Sequence, residues 1–407
     1  MSQEFALVQR LSSAARRAVG LTRETRRHWR TRPDDIQLSW GFPYPASFPI
    51  AELLEAAQMG LGKEGDRALQ YGGGDACRRL ERWVRDRLQR RGVQLDEMDC
   101  LITCGSSQAL GLVAQVMVDP GDLVVVEGPT FMGALRAFRN AGAQLHQVTL
   151  EDDGPDLRAL REWLQQRLRG GQPMPKVFYT VPNFHNPTGC CMSLDKRRCL
   201  VELAERYGFL IVEDDAYGDL RFEGEDLPPL KAFDRQGVVA YVGTFSKTIA
   251  PGIRIGWIFG AEPLIAAMAR LKADGGTSPF VQTVVAYYCE GANFDRRVQV
   301  LRANYRRRRD VMLHALERYM PADCRWTRPQ GGFFVWLRLP EGIDSRELLV
   351  KAIDHGVSFV DGRPFFADVE EGARYLRLAF CYVPEDRMEE GIRRLTQALG
   401  ELLETGP

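Results

Sequence analysis

Between residues 99 and 260 the chain alternates short, almost wholly apolar runs with amphipathic helical patterns, and few folds accommodate that alternation. The expected strands are Cys100–Cys104, Leu123–Glu127, Val177–Val181, Leu210–Asp214, Val238–Thr244 and Gly256–Phe259. Their polar residues do not alternate with apolar ones, as they would on a half-exposed sheet. Such runs suit strands buried on both faces. The segments between them carry apolar residues at helical spacing, for example Ala109, Leu110, Val113, Val116 and Met117, and again from Leu194 to Tyr207. Strand–helix alternation predicts an α/β fold with a mainly parallel sheet. In such sheets ligands gather at the carboxyl ends of the strands, so the residues just after each strand are the informative ones.

Past residue 292 the pattern changes. An Arg-rich helical stretch, Arg296 to Tyr319, leads to a Gly331-Gly332 break. A strand (Phe333–Leu339), a helix (Ser345–His355), two short strands and a last helix (Glu385–Leu403) are expected after it. With 407 residues, 45% of them hydrophobic, the chain is large enough for two domains. The expected division is an arm at 1–45 packing with the small domain, a large domain at 46–291 and a smaller C-terminal α/β domain at 292–407.

Lys and Arg number 54, as do Asp and Glu. That balance argues against bulk binding of nucleic acid or of an anionic membrane. No apolar run approaches the roughly 18 residues needed to span a bilayer. The first 32 residues hold Arg10, Arg16, Arg17, Arg23, Arg26, Arg27, Arg30 and Arg32, but Glu4 and Glu24 break the acid-poor pattern of an organelle transit peptide. Nine cysteines without a regular framework suggest free thiols in a reducing compartment, and five histidines give little support to a zinc site. A cytoplasmic location is expected.

Four strand ends carry the chemistry. The first runs into Gly105-Ser106-Ser107-Gln108 and a helix; small residues at a helix start expose N–H groups to an anion. An ordinary N-cap by Ser106 or Ser107 explains the same residues. The run ending at Val181 leads to Asn183-Phe184-His185-Asn186-Pro187-Thr188-Gly189, where Asn186 can donate to a ring hydroxyl and His185 reads as structural. The next delivers Glu213-Asp214-Asp215, with Tyr217 three residues beyond Asp214. The last delivers Thr244-Phe245-Ser246-Lys247, with Arg254 seven residues after the lysine. Lysine is rarely buried without a task; a desolvated one loses its proton more readily and attacks carbonyl carbons. Thr244, Ser246 and Arg254 add hydroxyls and a guanidinium suited to phosphate. A nucleophilic lysine, a phosphate cup, a carboxylate, a tyrosine and an asparagine are the equipment for pyridoxal phosphate.

On these motifs the sequence resembles the fold-type I pyridoxal-phosphate aminotransferases of classes I and II over residues 20 to 400. It is most similar to the branch holding α-aminoadipate and kynurenine aminotransferases and the aminotransferase-like half of MocR regulators. The resemblance implies an enzyme moving an amino group between an α-amino acid and a 2-oxo acid, with Lys247 as the Schiff-base lysine and proton shuttle. It makes Asp214 the partner of the pyridine nitrogen, and Tyr217 and Asn186 the ligands of the ring oxygen. Gly105, Ser106, Ser107, Thr244, Ser246 and Arg254 match the phosphate cup, and Phe131 the ring that stacks on the cofactor. The Asn186–Pro187 bond is a candidate cis peptide. Tyr71 resembles the tyrosine that reaches the neighbouring subunit's phosphate, which implies a homodimer with shared sites. Arg377 matches the clamp on the substrate carboxylate, Gly41 the arm glycine over the substrate, and Arg23 an arm arginine that reads a polar substrate side chain.

The sequence departs from that pattern at Ala76 and Glu81, where glycine and arginine are usual, and at Trp40, where a small residue is common. These departures keep alive another reaction of the same cofactor: lyase, racemase or carbon–carbon bond chemistry. A regulator of the MocR kind is disfavoured because the basic arm is too short for a winged helix.

Overall fold

The computed structural model describes residues 10–22, 32–95, 99–291 and 293–405. In chain order the strands are β1 (Ile36–Gln37), β2 (Cys100–Thr103), β3 (Leu123–Gly128), β4 (Gln144–Glu151), β5 (Gly154–Pro155), β6 (Val177–Thr180) and β7 (Leu210–Asp214). They continue as β8 (Val239–Thr244), β9 (Gly256–Phe259), β10 (Arg325–Trp326), β11 (Phe334–Arg338), β12 (Val357–Ser358), β13 (Val360–Asp361) and β14 (Tyr375–Ala379).

The central sheet has eight strands in the order β2-β9-β8-β7-β6-β3-β4-β5. The neighbours from β4 through β8 all run parallel, while β9 is antiparallel to both β8 and β2. This is the mainly parallel α/β sheet expected. Every residue of β6, β8 and β9 is buried, which is why those runs lack alternation. Each fully buried valine, isoleucine or phenylalanine there contributes about 1.5–3 kcal/mol. Strand β4 is absent from the expected set because it lies near the sheet edge, partly exposed, and its sequence QLHQVTLE mixes polar with apolar residues. The helix Leu194–Tyr207 has the expected bounds. Ser193 caps it by accepting from the Lys196 N–H, and Gly208 ends it with φ 75°, a left-handed conformation that glycine adopts freely.

A second, four-stranded antiparallel sheet, β10-β11-β14-β13, follows the 27-residue helix Asn293–Tyr319. That helix buries Leu301, Tyr305, Met312 and Leu316 against Phe333, Val335 and Leu378. The expected strand at 333–339 appears as β11, and the last helix extends to Thr405.

The segment after residue 35 stitches onto this second sheet region. Ile36 and Gln37 pair in parallel with Val357 and Ser358, and the Leu38 carbonyl accepts from the Ala379 N–H at 2.7 Å. Ile36 and Leu38 are buried, so the next residues, Ser39 to Phe42, are led across the end of β14. Among the described residues no helix is long and apolar enough to cross a membrane. All nine cysteines are free thiols.

Candidate active site

Lys247 lies in the turn that leaves β8, half-buried, with its Nζ donating to the Gly41 carbonyl at 3.2 Å. Loss of hydration holds its pKa down to about 8; Arg377 and Arg254 push the same way, while Cys381 and Asp214 oppose them. An amine so placed is deprotonated far more often at neutral pH than an exposed lysine.

The three adjacent acids after β7 have three separate fates. Glu213 turns away from the crevice and accepts from the N–H groups of Leu230 and Lys231, at 2.8 and 2.9 Å. Asp215 is locked under the sheet by Arg91 at 2.7 Å, Tyr241 at 2.8 Å and Asn183 at 2.8 Å. Burial works to raise its pKa, but Arg91 outweighs burial and the group ends below its ordinary value. Asp214 alone keeps an open oxygen. Its Oδ2 accepts from the Tyr179 hydroxyl at 2.8 Å, and its Oδ1 is buried with no partner. Burial pushes its pKa up to about 6.

Tyr217 is buried and its ring meets Phe333 and Phe334 edge-on, at 5.5 and 5.8 Å. Burial raises its hydroxyl pKa above the usual tyrosine value. Asn186, also buried, accepts through Oδ1 from Arg377 Nη1 at 2.9 Å, and its side chain also hydrogen-bonds the Tyr217 hydroxyl. The Asn186–Pro187 peptide is cis, as expected, and so is Gly128–Pro129.

Arg377, on β14, has no carboxylate partner among the described residues. Its Nη2 donates to the Ser39 carbonyl at 2.9 Å, and its guanidinium lies over the Phe334 ring at 4.2 Å. Its Nε is buried and unpartnered. Burial brings its pKa down to about 10, so it stays charged at neutral pH.

The two halves of the expected phosphate cup meet. Thr244 pairs with Gly256 across β8 and β9, and a side chain at Gly256 would strike the Gly105–Ser106 backbone. Gly105 has φ 74° and opens the helix Ser106–Met117. The Arg254 guanidinium covers it, donating to the Cys104 carbonyl at 3.1 Å. Thr244 Oγ1 also lies 2.9 Å from Ser246 Oγ. Phe131 starts the helix Met132–Ala141, after Thr130 N–H donates to the Phe365 carbonyl at 2.7 Å.

One expected residue is not buried in this cluster. Tyr71 is 86% exposed on its own chain. Arg23 lies outside the described residues. His185 is buried at 3.1 Å from Glu127 and 3.1 Å from Thr188 Oγ1, a structural position. Tyr179, Arg91, Ser39 and Phe334 were not singled out from the sequence. Tyr179 carried the one available signal: a hydroxyl inside an otherwise apolar buried strand requires a partner.

The donor set fits pyridoxal phosphate. A buried carboxylate oxygen without a partner suits a protonated ring nitrogen, and a lysine of lowered pKa suits its aldehyde. An arginine above a helix N-terminus suits its phosphate.

The family model of aminotransferase class I and II matches residues 33–395. Aromatic-amino-acid aminotransferase 1 of Thermococcus litoralis is 42% identical over 375 residues, covering 90% of this chain and 88% of that protein. A crystal structure of Pyrococcus horikoshii kynurenine aminotransferase, with pyridoxamine phosphate and kynurenine, superposes with a TM-score of 0.86 at 39% identity, covering 98% and 97% of the two chains. The α-aminoadipate aminotransferase LysN of Thermus thermophilus, complexed with N-(5'-phosphopyridoxyl)-L-leucine, gives 0.87 at 33% identity, covering 98% and 99%. These relatives are all named aminotransferases, so the lyase, racemase and bond-forming alternatives are not favoured. With the fold, the donor set and these likenesses in agreement, the chain belongs to the class I and II aminotransferases, pyridoxal-phosphate enzymes that move an amino group between an α-amino acid and a 2-oxo acid.

Proposed function

We propose that Lys247 holds the cofactor and serves as the proton carrier of the transfer. The observation that carries this is its position: a half-buried amine of pKa about 8 at the end of β8, facing Asp214 and Arg377. When bound, pyridoxal phosphate supplies an aldehyde for the amino group and a ring that takes up the electron pair left by the Cα–H bond. Asp214 Oδ1 holds the ring nitrogen. The amide of Asn186 and the hydroxyl of Tyr217 hold the ring oxygen, and Phe131 covers the ring. Gly105, Ser106, Ser107, Thr244, Ser246 and Arg254 hold the phosphate. Arg377 binds the substrate's α-carboxylate with its planar fork, and Asn186 Oδ1 fixes that fork's orientation. Lys247 Nζ removes the proton from the substrate's Cα and, in the return half-reaction, delivers one to the same carbon of the incoming 2-oxo acid. Gly41, on the arm, closes over the substrate and takes Nζ as a hydrogen-bond donor.

Tyr71 is assigned to the neighbouring subunit of a homodimer, since an 86% exposed tyrosine suits a surface that a second copy covers. A cytoplasmic setting is supported by nine free thiols. The separate eight-stranded and four-stranded sheets, with β1 of the arm paired to β12, support dividing the chain into an arm at 1–45, a large domain at 46–291 and a small domain at 292–407.

Lys247→Ala is expected to abolish 2-oxo-acid release and the visible absorbance of the lysine-linked cofactor; near-normal turnover would sink the assignment. For the shared site, Tyr71→Ala and Lys247→Ala proteins are mixed, unfolded and refolded together. Hybrid dimers regain one complete site, so activity must exceed that of either parent.

A further inference from the structure

Glu127, on β3, is 1% exposed and has no part in the chemistry described above. Buried carboxylates persist where hydrogen bonds hold them. Its Oε1 accepts from the Thr180 hydroxyl at 2.6 Å, and its Oε2 accepts from the Val181 N–H at 3.2 Å. The same Oε2 lies 3.1 Å from His185 Nε2. These partners all sit on the segment that leads from the end of β6 to Asn186. Arg197 closes the base of the loop that follows, donating to the Pro182 carbonyl at 3.1 Å and to the Met192 carbonyl at 3.0 Å. With the base held, the turn that presents Asn186 is what remains to be set.

His185 closes that turn. Its N–H donates to the Cys190 carbonyl at 2.8 Å, and its carbonyl accepts from the Gly189 N–H at 2.6 Å. Its Nδ1 lies 3.1 Å from Thr188 Oγ1, and the whole residue is buried. The main chain on both sides of Asn186–Pro187 is thus fixed to one side chain, whose far nitrogen faces β3 through Glu127. Asn186 is the next residue along the chain. Its Oδ1 accepts from Arg377 Nη1 at 2.9 Å, and its side chain also bonds the Tyr217 hydroxyl. A shift of the turn moves Asn186 against both of these partners at once.

We propose that His185, held by Glu127, is a positioning residue of amino transfer: through the turn at 185–190 it aims the Asn186 side chain, and so sets both the hydrogen bond to the cofactor's ring oxygen and the orientation of the Arg377 fork. The inference rests on the roles assigned above to Asn186 and Arg377. It has a spectroscopic sign. A donor to the ring oxygen favours that oxygen's anionic form, so a misaimed Asn186 makes the lysine-linked cofactor keep its proton to higher pH.

The test titrates the visible band of the holoenzyme against pH in wild type, His185→Asn, His185→Gln and Asn186→Ala, with donor KM, kcat and thermal unfolding measured beside it. Asn186→Ala must raise the pH at which the band changes. His185→Asn, too short to reach Glu127, must raise it too, by about one unit. Its donor KM must rise by about 3- to 10-fold, with a smaller fall in kcat. His185→Gln, whose amide can still donate to Glu127, must stay near wild type. Should His185→Asn not hold the cofactor, Thr188→Val carries the same test: it removes one hydroxyl from the turn, keeps the side chain's shape and must shift the band the same way by less. A wild-type band and KM in His185→Asn, or equal shifts in the Asn and Gln variants, overturn the positioning role. So does a lower melting temperature alone, because the ring then only fills the core. An unmoved band in Asn186→Ala strikes the role of Asn186 itself, and the inference with it.

Discussion

Tyr179, on β6, donates its hydroxyl to Oδ2 of Asp214, at the end of β7, at 2.8 Å, and the other carboxylate oxygen is left buried and open. The tyrosine thus fixes which oxygen faces the crevice. It also steadies a charge that burial opposes, since its hydrogen bond lowers the Asp214 pKa against the effect of desolvation. Tyr179→Phe removes one donor to a buried carboxylate, a change of about 1–3 kcal/mol. Asp214 should then hold a proton more tightly, and the dissociation constant of pyridoxal phosphate should rise by about tenfold. Titration of the cofactor-free protein by absorbance measures it. An unchanged constant with a shifted kcat would show that Tyr179 acts elsewhere.

Asp214→Asn should move stability and activity in opposite directions. Burial lifts the Asp214 pKa from 3.8 to about 6, so the native chain binds that proton more tightly than the unfolded chain does. The unfolded state then carries fewer protons, and stability falls as pH rises between about 4 and 6. Above that window the ionised carboxylate costs at most about 3 kcal/mol. Asparagine removes the cost, so the cofactor-free variant should melt higher than wild type at pH 7, with the difference vanishing near pH 4. Amino transfer should be lost. Thermal unfolding of the cofactor-free proteins at both pH values decides; equal melting at neutral pH would mean that no such cost is stored.

Lys247 gives a kinetic counterpart. Its neutral form is the nucleophile, and burial sets its pKa at about 8. Uptake of pyridoxal phosphate by the cofactor-free enzyme should accelerate as pH rises through about 8 and then level off. An ordinary lysine would keep gaining past pH ~10. Stopped-flow absorbance over that range separates the two profiles, and continued acceleration beyond pH 9 would contradict the desolvated lysine.

Much of this was legible in the chain because buried parallel strands leave apolar runs whose ends can be located to a residue. Lys247 and Asp214 stand at such ends. The sequence could not say which of Glu213, Asp214 and Asp215 enters the crevice. Arg91, which claims Asp215, is 124 residues away along the chain. Nor could it show β4, where an edge position relaxes the demand for apolar residues. The arm is similar. Gly41 was marked by resemblance, but its contact with Phe334 joins segments that share no local pattern.

That contact supports a prediction about the arm. A Cβ on Gly41 would lie 2.7 Å from two carbons of the Phe334 ring, closer than real Cβ atoms approach anything. The ring has little room to yield. It is buried, meets Tyr217 at 5.8 Å and lies under the Arg377 guanidinium at 4.2 Å. In Gly41→Ala the arm must therefore lift, which lengthens the Gly41 O contact to Lys247 and the Ser39 O contact to Arg377. Arg377 then loses the acceptor that aims one arm of its fork, and amino-acid binding weakens. KM for the donor should rise by about 10- to 100-fold, with a smaller fall in kcat. Global stability should change by only about 1 kcal/mol, because Ile36 and Leu38 still anchor the arm to the small sheet. Steady-state kinetics beside thermal unfolding read both quantities. A stable variant with wild-type KM would mean that Arg377 is oriented by Asn186 alone, and that the arm does not set the carboxylate clamp.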